Sequence, residues 1–253
     1  MLYVYAIGRA SHPAPDDVDV NVLKAGELAA FYSLVDAVDY SQPVIDARSK
    51  DVEWLGAIGY RHQSVMTELM RGGTVIPLRA FTLFANESTL RAHLQQQERL
   101  FQSILQRLDG KQEWTMRIEF DAERWNDALV RRVDSLRAIA GEAASAGAGK
   151  AYLLRKKLDE EKKRASREAE EQVVSEVEAE VAKKLACDAV AESRVQRGGA
   201  FPQISVLINR DEESRLVELR DVLNRRYESD GISVALTGPW PPYSFAGAMS
   251  DER

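Results

Sequence analysis

The feature that most constrains this chain is a long helix-forming run from about Lys150 to Val195. It lies between an Ala/Gly/Ser-rich stretch, Gly141 to Gly149, and the pair Gly198-Gly199 that would stop it. At 1.5 Å per residue, one helix over 150–195 would reach up to about 65 Å. Its middle, Asp159 to Glu171, is almost all charged and predicts a section solvated on every side. The pairs Asp159–Lys163, Glu160–Arg164 and Arg167–Glu171 have the stabilising spacing of four, worth about 0.2–0.5 kcal/mol each. Beyond them Val173, Val177, Val181, Leu185 and Ala189 form a stripe that must pack on something. The helix reads either as a solvated spacer or as an arm that binds a partner. The Gly141–Gly149 stretch reads as a flexible joint.

Around this helix the hydrophobic period switches repeatedly between two and three-to-four. Leu2 to Ile7 is apolar on both faces and predicts a central strand, with Tyr3, Tyr5 and Ile7 on one side. Val18 to Lys24 and Leu28 to Val35, turning at Gly26, predict a hairpin. Asp51 to Met70 predicts an amphipathic helix with Val52, Leu55, Ile58, His62, Val65, Met66 and Leu69 inward, ended by Gly72-Gly73. Thr74 to Leu78 is a short strand whose Pro77 belongs at an edge or bulge. One helix is expected from Asn86 to Leu108, with Leu90, Leu94, Leu100, Phe101, Ile104, Leu105 and Leu108 inward.

Glu113 to Phe120 alternates Trp114, Met116, Ile118 and Phe120 with polar residues, which predicts a strand with one wet face. Asp121 caps a helix through Trp125, Leu129, Val133, Leu136 and Ile139. Phe201 to Ile208, Asp211 to Tyr227 and Ile232 to Leu236 read as strand, helix and strand, with Leu216, Leu219, Val222 and Leu223 inward. In Gly238-Pro239-Trp240-Pro241-Pro242-Tyr243-Ser244-Phe245 the prolines forbid a central strand, so an extended tail is expected. Its rings either cover their own sheet edge or form a docking segment.

The fold class is therefore α+β, in two small α/β domains. Residues 1–110 form an N-terminal α+β domain. Residues 111–237 form a modified ferredoxin-like sandwich with the helix 150–195 as a long insertion. Residues 238–253 are a Pro/aromatic tail. A hydrophobic share of 45% is enough to fill two cores, and a net charge of −6 argues against a general nucleic-acid binder. The single Cys187 cannot make an intramolecular disulfide and suits a reducing cytosol. No window approaches the ~20 apolar residues of a membrane span, and Met1 to Gly8 has no basic leader, so a soluble cytoplasmic protein is expected.

Signatures of chemistry are missing. Gly147-Ala148-Gly149-Lys150 lacks the first glycine, the hydroxyl residue and the preceding strand of a phosphate loop. There is no Gly-x-Ser-x-Gly elbow. His12, His62 and His93 have no His or Cys partner at metal-ligand spacing, and His62 reads as a hydrogen-bonded packing residue. No catalytic residue, metal ligand or cofactor is expected.

Several segments, in order, resemble the gas vesicle protein F/L family. Tyr3-Val4-Tyr5-Ala6-Ile7-Gly8 is similar to its Tyr-Val-Tyr-Gly-Ile start. Arg61-His62 with Thr74-Val75-Ile76-Pro77-Leu78-Arg79 resembles its His…Val-Leu-Pro-Leu-Arg-Phe-Gly-Thr stretch. Gly110-Lys111-Gln112-Glu113 resembles its Gly-Lys-x-Glu element, and 238–245 its closing motif. Ala80-Phe81-Thr82 stands where the family commonly has Phe-Gly-Thr, so the glycine that would ease that turn is missing.

The resemblance implies a non-enzymatic protein that helps build gas vesicles and associates with them. Its expected partner is the very hydrophobic major shell protein, with other gas vesicle accessory proteins as further partners. Trp240, Tyr243 and Phe245 are the candidate contacts, together with the long helix. A permanent minor component of the shell is the alternative; an enzyme with a small-molecule pocket is a distant third.

Overall fold

A computed structural model describes residues 1–15, 17–186, 192–196 and 201–247. Cys187, Ala189 and the Gly198-Gly199 stop lie outside these residues. The chain divides into two compact units, Met1–Glu113 with Pro239–Arg253, and Trp114–Gly238. The segment after Gly238 thus belongs to the first unit.

In the first unit β1 (Leu2–Arg9) is central. It pairs antiparallel with β3 (Leu28–Leu34), β4 (Val75–Pro77) and the two-residue β5 (Leu83–Phe84), while β2 (Asn21–Ala25) flanks β3. Pro77 sits opposite Ala6 on β4, which ends the strand path, so its missing N–H costs no ladder bond inside the sheet. The register of β1 shifts between Val4 and Ala6. Such a bulge flips the side-chain phase. Ala6, not the expected Ile7, therefore joins Tyr3 and Tyr5 in the core with Ala29, Phe31, Val65, Met66, Leu69 and Val75.

Helix α1 (Gln42–Arg48), for which the sequence reading had no element, precedes α2 (Val52–Gly72). The expected single helix after Asn86 is two, α3 (Glu87–Gln96) and α4 (Glu98–Leu108), parted at Gln97. Leu100 lies beside the stripe and is exposed, while Phe101, Ile104, Leu105 and Leu108 are buried.

The second unit has a four-stranded sheet in the order β7-β8-β6-β9, from β6 (Lys111–Phe120), β7 (Glu192–Gln196), β8 (Gln203–Asn209) and β9 (Ile232–Trp240). The sheets are antiparallel, in a mixed fold of helix and strand. β7 pairs antiparallel with β8 at residues that the sequence reading had placed in the helix. The expected helix after Asp121 divides at Val133 into α5 (Ala122–Arg132) and α6 (Asp134–Ser145). α6 runs into the supposed Gly141–Gly149 joint, and α7 (Ala148–Ala186) begins inside it.

The middle of α7 is not wet all round. Ala151 and Ala169 are buried, and Leu154, Leu158, Ala165 and Ser166 half-buried, at spacings of three and four. The Trp125 indole N–H of α5 donates to Ser166 Oγ (3.1 Å) and Glu170 Oε1 (3.2 Å). Small apolar residues scattered among charges carried this face, and the charges masked it. Arg167 does pair with Glu171 at 3.3 Å, whereas Arg164 pairs with Glu161 at 3.1 Å. Val173, Val177 and Val181 are buried in the core with Trp114, Met116 and Ile118 of β6. Helix α8 (Glu213–Tyr227) adds Leu216, Leu219 and Leu223 to this core. Its Val222 faces outward, contrary to expectation.

Candidate functional site

Aromatic side chains converge on one side of the first unit. Tyr3 and Tyr5 rise from one face of β1 with ring centroids 4.9 Å apart. Tyr40 meets the Tyr3 ring edge-on at 6.0 Å. Trp54 of α2 lies 5.5 Å from Phe81, and Phe81 6.2 Å from Tyr3. Phe81 has φ 65°, in the left-handed region, where a side chain costs roughly 1–2 kcal/mol. This is the position at which the resembled motif has glycine. The turn forms without it: Thr82 N–H donates to the Arg79 carbonyl (3.2 Å), and Val4 N–H to the Thr82 carbonyl (2.9 Å).

Behind the rings, buried His62 is bonded through both nitrogens. Nδ1 lies 2.9 Å from the Tyr3 hydroxyl and Nε2 2.8 Å from the Tyr243 hydroxyl. Burial pulls the imidazole below its ordinary pKa, and burial pushes the Tyr243 phenol up to about 12 and the Tyr3 phenol up as well. A neutral imidazole donates from one nitrogen and accepts at the other, so the three side chains form one neutral chain of hydrogen bonds. It fastens α2 to the sheet and to the closing segment.

Between these rings, the end of β3 and α2 lies a cleft of about 410 Å³, lined by Tyr3, Tyr5, Leu34, Tyr40, Trp54, Ile58 and Arg61 among others. Arg61 closes one side. Its Nε donates to the Tyr5 hydroxyl (3.2 Å) and its Nη2 to the Asp19 carbonyl (3.0 Å) and Ser33 Oγ (3.2 Å). Leu34, which lines the cleft, is 70% exposed, and Val38, Val52 and Tyr60, close in sequence to lining residues, are 72%, 80% and 79% exposed. The buried residues of α2 begin at His62, and α1 has none. Of the three residues expected inward in that half, Ile58 is half-buried against the core, Leu55 is half-buried and Val52 is exposed, so the expectation is corrected at Val52.

The second unit has a larger cleft, about 610 Å³, bordered by Asp121, Arg124, Phe201, Arg225 and Glu228. Size alone would favour it. Its walls mix charges of both signs, and the aromatic cluster and the uncovered helix face lie in the first unit, so the smaller cleft is the stronger candidate.

The three ring residues expected to bind a partner have different fates. Phe245, in the short helix α9 (Tyr243–Ala246), is fully buried and offers no surface. Tyr243 is 38% exposed but holds His62. Trp240 is 41% exposed at the end of β9. The closing segment is folded onto the first unit instead of lying extended. Ser244 donates from its N–H (3.0 Å) and hydroxyl (2.7 Å) to the Glu113 carboxylate, and Arg107 donates to the Phe245 carbonyl. Glu113 was expected on a wet strand face; Ser244 explains its burial. On α7, Tyr152 and Leu153 are exposed.

Sequence reasoning missed Arg61, Tyr40 and Trp54 as site residues. Their signal was present in α2, where an apolar stripe with a tryptophan continues into a half that is only partly covered. Among the described residues, no group of three or more His, Cys, Asp or Glu could hold a metal, and no helix is long and apolar enough to cross a membrane.

The sequence pattern of the family described as gas vesicle synthesis protein GvpL/GvpF matches residues 1–247. Gas vesicle protein F of Streptomyces sp. (strain CB03234) is 29% identical over 255 residues, covering 96% of this chain and 98% of that protein. Gas vesicle protein L of the same strain is 27% identical over 236 residues, covering 91% and 84%. The crystal structure of GvpF from Anabaena sp. PCC7120 superposes with a TM-score of 0.67 at 16% identity, over 98% of this chain and 99% of that one.

Proposed function

This chain belongs to the gas vesicle synthesis protein GvpL/GvpF family, and from that premise we propose that it is an assembly factor that binds the hydrophobic major shell protein before that protein enters the vesicle wall. A subunit with a large apolar face aggregates unless the face is covered. The observation that carries the reading is the apolar first half of α2 beside an aromatic cleft: Val52 and Tyr60 are exposed, and Trp54, Leu55 and Ile58 are only half-buried. Burying the exposed part of a large apolar side chain on a partner stabilises by up to roughly 1.5–3 kcal/mol. The binding needs no catalytic step or cofactor. It places the protein in the cytoplasm, at the growing vesicle, with other accessory proteins within reach.

Co-purification with co-expressed shell protein tests the reading. Retention of shell protein, and loss of vesicles on deletion of the gene, are expected. No retention together with wild-type vesicle yield would refute it. Washing purified vesicles in urea separates this role from that of a permanent wall component, because a transient factor is stripped.

A further inference from the structure

We propose that the cleft of the first unit takes an apolar peptide segment that carries a carboxylate, and that Arg61 pairs with that carboxylate. The proposal rests on the shell-protein reading for the identity of the partner, and adds the chemistry by which the partner is recognised. Three observations carry it.

The first is the state of Arg61. A guanidinium has five N–H donors. Those of Arg61 that are engaged go to neutral acceptors, the Tyr5 hydroxyl, the Asp19 carbonyl and Ser33 Oγ, and it pairs with no carboxylate among the described residues. Arg91 likewise donates only to a carbonyl, that of Lys24, but it does not line the cleft; two others are paired. Arg9 is paired with Asp109 at 3.1 Å and Arg48 with Asp51 at 3.0 Å. Arg61 is therefore an exposed cation braced by neutral acceptors, with its Nη1 donors free for a ligand. A fork already held in place loses less freedom when it binds a carboxylate.

The second is the size of the cleft. About 410 Å³ suits roughly one turn of helix or a few extended residues, not a folded domain. The third is exposed apolar surface. Leu34 of the cleft wall is largely exposed, and Val38 and Val52, close in sequence to lining residues, are exposed too, apolar surface which a small polar metabolite would not use and a peptide would. A nucleic acid is disfavoured by the overall charge of −6.

The test uses the full chain and short, overlapping fluorescein-labelled peptides spanning the shell protein, read by fluorescence anisotropy. One peptide with Asp or Glu beside aliphatic residues should bind, more weakly as salt rises. Arg61→Gln should weaken it about tenfold, from the strength of a hydrogen bond to a charged group. Changing the peptide carboxylate to its amide should do the same, and the two changes together should cost no more than either alone. Ala57→Trp, at an exposed cleft position on α2, should abolish binding without moving the thermal midpoint.

Equal binding by Arg61→Gln, or losses that simply add, would overturn the pairing. Arg61→Lys should recover part of the affinity; a loss equal to that of Arg61→Gln would mean that Arg61 only braces Tyr5 and Ser33, and would overturn it too. Self-association abolished by Ala57→Trp would make a second copy the occupant and sink the proposal. If shell protein co-purifies but no peptide binds, the cleft chemistry fails while the assembly role stands. If neither is retained, both fail.

Discussion

Phe81 sets two local energies against each other. Its left-handed backbone costs roughly 1–2 kcal/mol, while its ring supports Trp54, Tyr40 and Tyr3. Two substitutions separate these terms. Phe81→Ala loses the ring and keeps the strained backbone; Phe81→Gly loses the ring and relieves the strain. Denaturant unfolding should therefore find the alanine variant less stable than the glycine variant by about 1 kcal/mol. Equal stabilities would show that the φ of this turn carries no strain. His62 gives a pH signature. Its folded-state pKa lies below the unfolded value of about 6.5, so the unfolded chain binds the proton more readily. Its contribution to stability is complete above about pH 6.5 and is lost as pH falls through the folded value. The thermal midpoint should drop on acidification from about pH 7 toward pH 5, and His62→Gln should flatten that part of the profile.

At the scale of elements, α9 behaves as an anchor. Fully buried Phe245 should cost about 3–5 kcal/mol on truncation to alanine, by the usual price of emptying a core site, with unfolding of the first unit as the readout. Trp240→Ala, at a half-wet strand end, should stay within about 0.5 kcal/mol. These elements also show what can be read from sequence. β1, the β2–β3 hairpin, α2 and α8 were legible because period, turn glycines and caps agree. The Asp121 carboxylate caps α5 as expected, accepting from Arg124 N–H at 2.9 Å. The divisions at Gln97 and Val133 were not legible, because neither residue is a helix breaker and the stripe continues across both. β7 was hidden because Glu192–Gln196 has no alternation of its own and gains its ladder from β8. The cleft was hidden for a different reason: an apolar stripe tells that a face wants cover, not whether the same chain supplies it.

For the whole molecule, the chain leaves the first unit within β6 and returns to it within β9, so residues 239–247 and 1–113 fold as one body. The closing motif, which the sequence left open between covering its own fold and docking a partner, is folded onto that body through Tyr243, Ser244 and Phe245. The proposed partner surface runs along Leu34 to Arg61. Hydrogen–deuterium exchange of the full chain, with and without co-purified shell protein, tests this most directly. Slower exchange should be confined to peptides spanning residues 34–61, which carry the rim and the first half of α2. Unchanged exchange there, with slowing along α7 or around Trp240 instead, would contradict the account.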